Sequence, residues 1–565
     1  MRRPILIRST TVLALLAGAL TAAPAAAPTA SAQPGTYRPG DRPILGHYSH
    51  LVVIYEENHS FDNLYGRWGT VNGQAVDGLP GAGRATPAGT GAGTSSGTSA
   101  RTAAAQVAQD GQPYRCLLQV DVNLTAPSPL PSTCTEPAKG VAASHFRNAP
   151  FTLDDYFAPT DLTCPAPGVN APNGVLRNSP GSEPGGCTRD LVHRFYQEQY
   201  QIDQGKQDRY VTGSDAVGLT MGTYDTTALP IWKYLHAAGA PKYVLADRFF
   251  QAAFGGSFLN HQYLIAARAP VDTSAGPGGA DAALHSVVDV NGFPNASYPL
   301  YHPATAVKDA QLTQACGAAA NPAVACGDYA VNTIQPSSAP FGSGAKLPLI
   351  DDTRYPNIGD RLSAAGVSWN WYAGGWDDAV AGHPGALFQY HHQPFNYFAA
   401  YAPGQPGRAH LADETNFVAA AKSGTLPAVS FVKPYGAENE HPGYASEPNG
   451  SDHLVSLLRA VESGPQAANT LVVVTYAEFG GSWDHVSPPG AGSHTSGVHD
   501  QFGPGTRVPA LVISPSLPRS GVDHTVYDTT SILATIERGL GLRPLSSRDA
   551  HVADLSGALR AVTRR

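Results

Sequence analysis

Six short runs of aliphatic, β-branched and aromatic residues recur along the chain, at 50–55, 243–246, 366–372, 428–432, 471–475 and 508–513. Their shortness and near-continuous apolar character predict strands buried on both faces rather than half-exposed ones. Between them, helical spacing starts at Leu191 and runs through 193–200. It returns at 451–463, with Asp452 near the amino end, and at 529–542. Strands separated by helices predict an α/β fold, a mostly parallel sheet with helices on both faces. Residues 79–112 are Gly, Ala, Ser and Thr with few large apolar side chains, which predicts a flexible surface insertion. The Pro-rich stretch from Cys116 to Cys187 reads as irregular loop, and no internal repeat is visible. The expected organisation is one catalytic-sized domain over 33–565 with long loop insertions.

Composition narrows the class. The 565 residues are 42% hydrophobic, enough for a sizeable core, and only 14% charged against a usual share of about 25%. A net charge of −8 argues against a basic nucleic-acid binder. The 60 glycines and 48 prolines imply extensive loops. At the amino end, Arg2 and Arg3 precede an apolar run at 11–23, shorter than the roughly 20 residues that span a bilayer. Ala30-Ser31-Ala32 follows as a small-residue cleavage pattern, so 1–32 is expected to be a secretory signal peptide and the protein secreted or periplasmic. No later stretch predicts an integral membrane segment. Six cysteines suit an exported chain, and pairing of neighbours (116–134, 164–187, 316–326) would close a Pro- or Gly-containing loop each time.

In open α/β sheets, ligands bind beyond the carboxyl ends of strands, and four predicted strands end in polar clusters. Glu57, Asn58, His59, Ser60 and Asp62 follow the first. Gly255-Gly256-Ser257-Phe258-Leu259-Asn260-His261 lies after the second. Lys433 and Asn439-Glu440-His441 follow the 428–432 run, and Glu478, Asp484 and His485 the 471–475 run. Two glycines before Ser257 permit a sharp turn, and the apolar residues after it can start a helix. A hydroxyl there sits where backbone N–H groups favour a phosphoryl anion. Serine is equally a good N-cap, and the sequence leaves nucleophile and cap both open. The absence of a Gly-x-Ser-x-Gly elbow argues against a lipase-like triad. Glu57, Asn58 and Glu478 offer hard oxygen ligands for one divalent cation, although helix capping and ion pairing are their commoner uses. Grouped in space, His193, His391, His392 and His441 would donate to phosphate oxygens or protonate a leaving alkoxide; in Pro/Gly loops, histidines also commonly face solvent.

At these residues the chain resembles the bacterial phosphoesterase family containing acid phosphatases and phosphatidylcholine-type phospholipases C. The matching pieces are Tyr55-Glu56-Glu57-Asn58-His59-Ser60-Phe61-Asp62, Gly255-Gly256-Ser257-Phe258-Leu259-Asn260, the 433–443 stretch around Asn439-Glu440-His441, the 475–485 stretch around Glu478, and 507–515. They recur in family order across nearly all of the chain after the signal. The resemblance implies an alkaline-phosphatase-like fold and a metal-assisted nucleophile. Carried over by position, Glu57, Asn58, Ser257 and Glu478 would hold the metal and Ser257 would be phosphorylated. His391 and His441 would serve catalysis, with His193, His392, Asn260, Asp484 and His485 around the phosphate. Serine rather than threonine at 257, His391-His392-Gln393-Pro394-Phe395 and the 201–206 stretch look more like the acid-phosphatase branch. The expectation is a secreted, metal-dependent phosphomonoesterase acting on a small phosphorylated substrate. The alternatives are a phospholipase C acting on a phospholipid head group and a non-catalytic phospho-ligand-binding protein. One departure motivates the last. Ala477 stands where members of the family usually carry an acidic residue beside Glu478, and alanine cannot ligate metal.

Overall fold

A computed structural model describes residues 43–79, 105–117, 131–164, 183–271 and 329–563, apart from 109, 140, 157, 215–216, 345 and 491. The expected signal segment 1–32, residues 80–104 of the predicted insertion, and Cys316 with Cys326 lie outside the described residues. The central sheet has eight strands: β1 (His50–Glu56), β2 (Lys242–Ala246), β3 (Trp369–Ala373), β4 (Leu411–Asp413), β5 (Val429–Lys433), β6 (Thr470–Tyr476), β7 (Ala510–Ser514) and β8 (Gly521–Asp523). Their order across the sheet is β4-β3-β5-β1-β6-β7-β2-β8. All residues of β1, β5, β6 and β7 are buried, as their unbroken apolar character requires.

The α/β expectation holds, with one correction of direction. The strand expected from the 508–513 run, β7, is antiparallel to both β6 and β2, while every other pair in the sheet is parallel. The cause is the connection. A parallel neighbour needs a crossover to the far edge of the sheet, usually through a helix. The described residues between β6 and β7 contain no helix, and the chain re-enters the sheet from the edge at which it left. The amino end of β7 therefore shares an edge with the carboxyl ends of β1 and β6. Strands β4 and β8, three residues each, are too short to register as periodic runs.

Five helices matter below: α1 (Phe195–Ile202), α2 (Ser257–Ala266), α3 (Glu414–Ser423), α4 (Glu447–Glu462) and α5 (Thr530–Leu540). α4 starts earlier than its apolar period suggests, because the Ser446 hydroxyl accepts from the Asn449 N–H and Pro448 fits the first turn. α2 is buried along its whole length. Cys116–Cys134 and Cys164–Cys187 form disulfides, as neighbour pairing expects. Among the described residues no helix is long and apolar enough to cross a membrane.

Leu471, in β6, is fully buried and lies opposite Leu51 of β1. Leu471→Ala should lower unfolding free energy by about 2–5 kcal/mol in urea titrations.

Candidate active site

The carboxyl ends of β1 and β6 lie side by side, Glu56 opposite Tyr476, so Glu57 and Asn58 emerge next to Glu478. The loop after β6 closes onto Asn58 so tightly that a Cβ on Gly480, which has φ +60°, would fall 2.0 Å from the Asn58 carbonyl oxygen. The third component comes from the turn before α2. Gly255 has φ +94°, and a Cβ there would meet the Phe195 backbone nitrogen at 2.7 Å. Gly256 takes the N-cap position. As the first helical residue Ser257 is not the cap. Its Oγ lies 2.7 Å from Glu478 Oε1 and 3.1 Å from Glu57 Oε2, so its single proton has two carboxyl groups within reach.

Three opposing charges meet in this buried spot. Burial by itself would push the Glu57 carboxyl up. Lys433, with Nζ 2.6 Å from Glu57 Oε1, and the imidazoles of His392 and His261 overcome that and hold it well below the usual carboxylate range. Glu478 is driven the other way, well above that range, by burial and then by the charge of Glu57. Asn58 ties the other side together. Its Nδ2 lies 3.2 Å from Glu478 Oε1, 3.2 Å from His193 Nε2 and 3.4 Å from His441 Nε2. His193 Nδ1 donates to the Leu191 carbonyl at 2.5 Å and His441 Nδ1 to the Pro442 carbonyl at 2.7 Å. Both rings thus turn Nε2 toward Asn58. Burial lowers the His441 pKa to about 3, so that ring is neutral.

The donor set fits a divalent cation. Asn58 Oδ1 and Glu478 Oε2 are buried without a hydrogen-bond partner among the described residues. They stand beside two carboxylates that repel one another and a serine hydroxyl, all hard oxygen donors. Ala477 is fully buried and adds no donor.

A cavity of about 250 Å³ opens over Ser257. His193, His391, His392 and His441 line it, with Gly256 and Phe258 from the start of α2. The expected histidine cluster is therefore assembled from three separate segments. Three expected phosphate-binding residues are placed elsewhere. Asn260 is buried one turn into α2, where its amide bonds Ala253 in both directions and so staples the turn before the helix. Asp484 and His485 belong to a separate ionic cluster. The Arg507 guanidinium donates to Asp484 and Asp62, and His485 Nδ1 lies 2.6 Å from Asp62 Oδ2. Arg507 reaches that cluster because β7 runs antiparallel.

Two contributors escaped the sequence reading. Lys433 was noted only as a strand-end residue. Glu198 is fully buried in α1 and accepts from the Gly255 N–H at 2.6 Å, Gln251 Nε2 at 2.8 Å, and the Thr506 N–H and hydroxyl at 2.7 and 2.8 Å. Burial raises its pKa to about 8 against those four donors. Its signal was available, since Phe195, Glu198 and Ile202 share one helix face and the outer two are apolar.

The sequence model of the Phosphoesterase family matches residues 139–543. Among curated proteins, the non-hemolytic phospholipase C of Burkholderia pseudomallei is 31% identical over 219 residues, 32% of this chain and 29% of that protein. Phospholipase C B of Mycobacterium tuberculosis is 30% identical over 226 residues, 35% of this chain and 42% of that protein. The chain thus spans less than half the length of these relatives. Among solved structures, a protein in the alkaline phosphatase superfamily from Vibrio parahaemolyticus aligns over 34% of this chain and 50% of its own at 11% identity and a TM-score of 0.20. Ps i-CgsB aligns over 39% of this chain and 60% of its own at 13% identity and a TM-score of 0.22.

Removing the Arg507 charge leaves the buried Asp62 and Asp484 with only His485 as a nearby cation, so Arg507→Met should cost about 3–5 kcal/mol of unfolding free energy. His485 adds a pH dependence. Burial opposes its charging, but Asp62 and Asp77 push its pKa up to about 10. Its contribution is therefore complete below the unfolded value near 6.5 and fades as pH rises through about 10. The stability gap between wild type and His485→Gln, measured in urea, should be largest at pH 6 and shrink steadily toward pH 10.

Proposed function

This chain belongs to the Phosphoesterase family, and from that membership and the cavity over Ser257 we propose that it hydrolyses phosphoric esters through this serine. The observation that carries the reading is the Ser257 hydroxyl, set between two buried carboxylates at the amino end of α2 and facing an imidazole-lined cavity. When bound by Glu57, Asn58, Ser257 and Glu478, a divalent cation supplies the positive charge that lowers the serine pKa and offsets phosphoryl charge. The chain's own groups do the rest. Backbone N–H groups at the start of α2, with His193 and His392, receive the phosphoryl oxygens. Ser257 Oγ passes its proton to Glu478 Oε1, 2.7 Å away, and bonds to phosphorus as the bond to the leaving oxygen breaks, while His391 gives that oxygen a proton. Water then cleaves the phosphoserine. His441, neutral with Nε2 an acceptor, suits taking a proton from that water.

The described lining supports a phosphomonoester of small size, an acid-phosphatase activity. Asp190, Asn332, Thr333, Gln335, Gln389 and the histidines outnumber its apolar side chains. A phospholipase C acting on a lipid head group is the second reading, favoured by the names of the curated relatives. The amino-terminal pattern together with the two disulfides supports export to an oxidising compartment.

Side-by-side assays of p-nitrophenyl phosphate and p-nitrophenyl phosphorylcholine, with and without chelator, should show chelator-sensitive turnover of the monoester. Turnover chiefly of the choline ester selects the phospholipase reading. Binding without turnover of either, across several added metals, selects the non-catalytic one. Ser257→Ala should lower kcat by at least about a thousandfold with the fold intact. Glu198→Gln turns an amide N–H₂ toward groups that donate to the carboxylate now. Displacement of the Ser257 turn should then lower kcat on the order of 10–100-fold, with KM little changed.

A further inference from the structure

β1 ends in two adjacent glutamates, and strand alternation sends them to opposite faces of the sheet. Glu57 serves the cavity. Glu56 is fully buried, and neither of its carboxylate oxygens has a hydrogen-bond partner among the described residues. Lys433 lies nearby, but its Nζ is committed to Glu57 Oε1 and to the backbone carbonyls of Tyr55 and Glu56. Burial pushes the Glu56 carboxyl up to about 8 against Lys433 and His453 of α4, and Glu414, the first residue of α3, adds to the rise.

Glu414 and His453 form a cluster of their own. Glu414 Oε1 lies 2.8 Å from His453 Nε2, and Glu438 Oε2 approaches the same nitrogen at 3.9 Å. One ligand atom from each of the three lies within 4.8 Å of the others. The Glu414 side chain is only 10% exposed and its Oε2 has no hydrogen-bond partner among the described residues, whereas Glu438 is 43% exposed and opens the cluster to solvent. Two carboxylates, one of them buried with an unpartnered oxygen, thus face a single imidazole, which hydrogen-bonds only one of those oxygens.

We propose that Glu414, Glu438 and His453 hold a second divalent cation. Carboxylate oxygens with one imidazole suit a first-row ion such as Mn²⁺ better than Ca²⁺, which takes oxygen ligands. The ion would join the first turn of α3 to α4.

The test counts ions on the full-length chain and uses Mn²⁺ alone, read by equilibrium dialysis and electron paramagnetic resonance. The double variant Glu57→Gln/Glu478→Gln, which disables the site at Ser257, should still bind one Mn²⁺ per chain. Adding His453→Ala or Glu414→Gln to it should abolish that ion. In the otherwise wild-type chain, His453→Ala should bind one Mn²⁺ fewer, and this count decides the question should the double variant not fold. Equal Mn²⁺ stoichiometry in wild type, His453→Ala and Glu414→Gln, each with native circular dichroism, would overturn the proposal and leave His453–Glu414 as an ion pair. Because the readout is binding, the outcome is independent of whether Ser257 turns over a phosphoric ester.

Discussion

The contact between Lys433 and Glu57 sets the electrostatics of the whole site. Both side chains are fully buried with Nζ 2.6 Å from Oε1, and a carboxylate taken out of water is costly unless it is paired and hydrogen-bonded. The two backbone carbonyls that Lys433 also reaches use its remaining protons, so the ammonium is satisfied where it stands. With Glu57 kept ionised, Glu478 becomes the group that a proton or a cation must neutralise. Ser257 lies between them. The pairing depends on strand register: Val432 lies opposite Ile54, so Lys433 comes next to Tyr55 and within reach of the residues just past the end of β1.

Around that centre, buried polar contacts hold the loops that the sheet does not. Glu198 gathers the turn before α2 and the approach to β7 onto one carboxylate, and Asn260 closes the same turn from within the helix. On the far side of Asn58, Arg507 joins Asp62, Asp484 and the carbonyls of Asp77 and Asp247. Each network fixes a segment rich in glycine or lacking regular structure. The cavity can therefore be lined by loops and still keep a set geometry.

Much of this was written in the sequence, for identifiable reasons. Continuous apolar runs specify strands buried on both faces, and six of the eight sheet strands lie within or next to such runs. The short edge strands β4 and β8 bury too few residues to leave a pattern. The polar residues that follow the strands marked Glu57, Asn58 and Glu478, because β-sheet ligands gather at strand ends. Asp484 and His485 carried the same mark yet serve the Arg507 network. A strand-end location says which edge a residue occupies and is silent on which neighbour claims its charge.

By itself, then, the sequence determined the α/β class, most of the strands, and the residues from which a phosphoryl site could be built. Local periodicity and residue chemistry suffice for those. Only the tertiary structure decided that β7 runs antiparallel, that Ser257 is the first residue of its helix and not its cap, and that Lys433 and Glu198 govern the site from beneath. Those outcomes depend on contacts between residues up to 378 positions apart, and their energies arise from burial and mutual charge, which do not exist until the chain has closed around them.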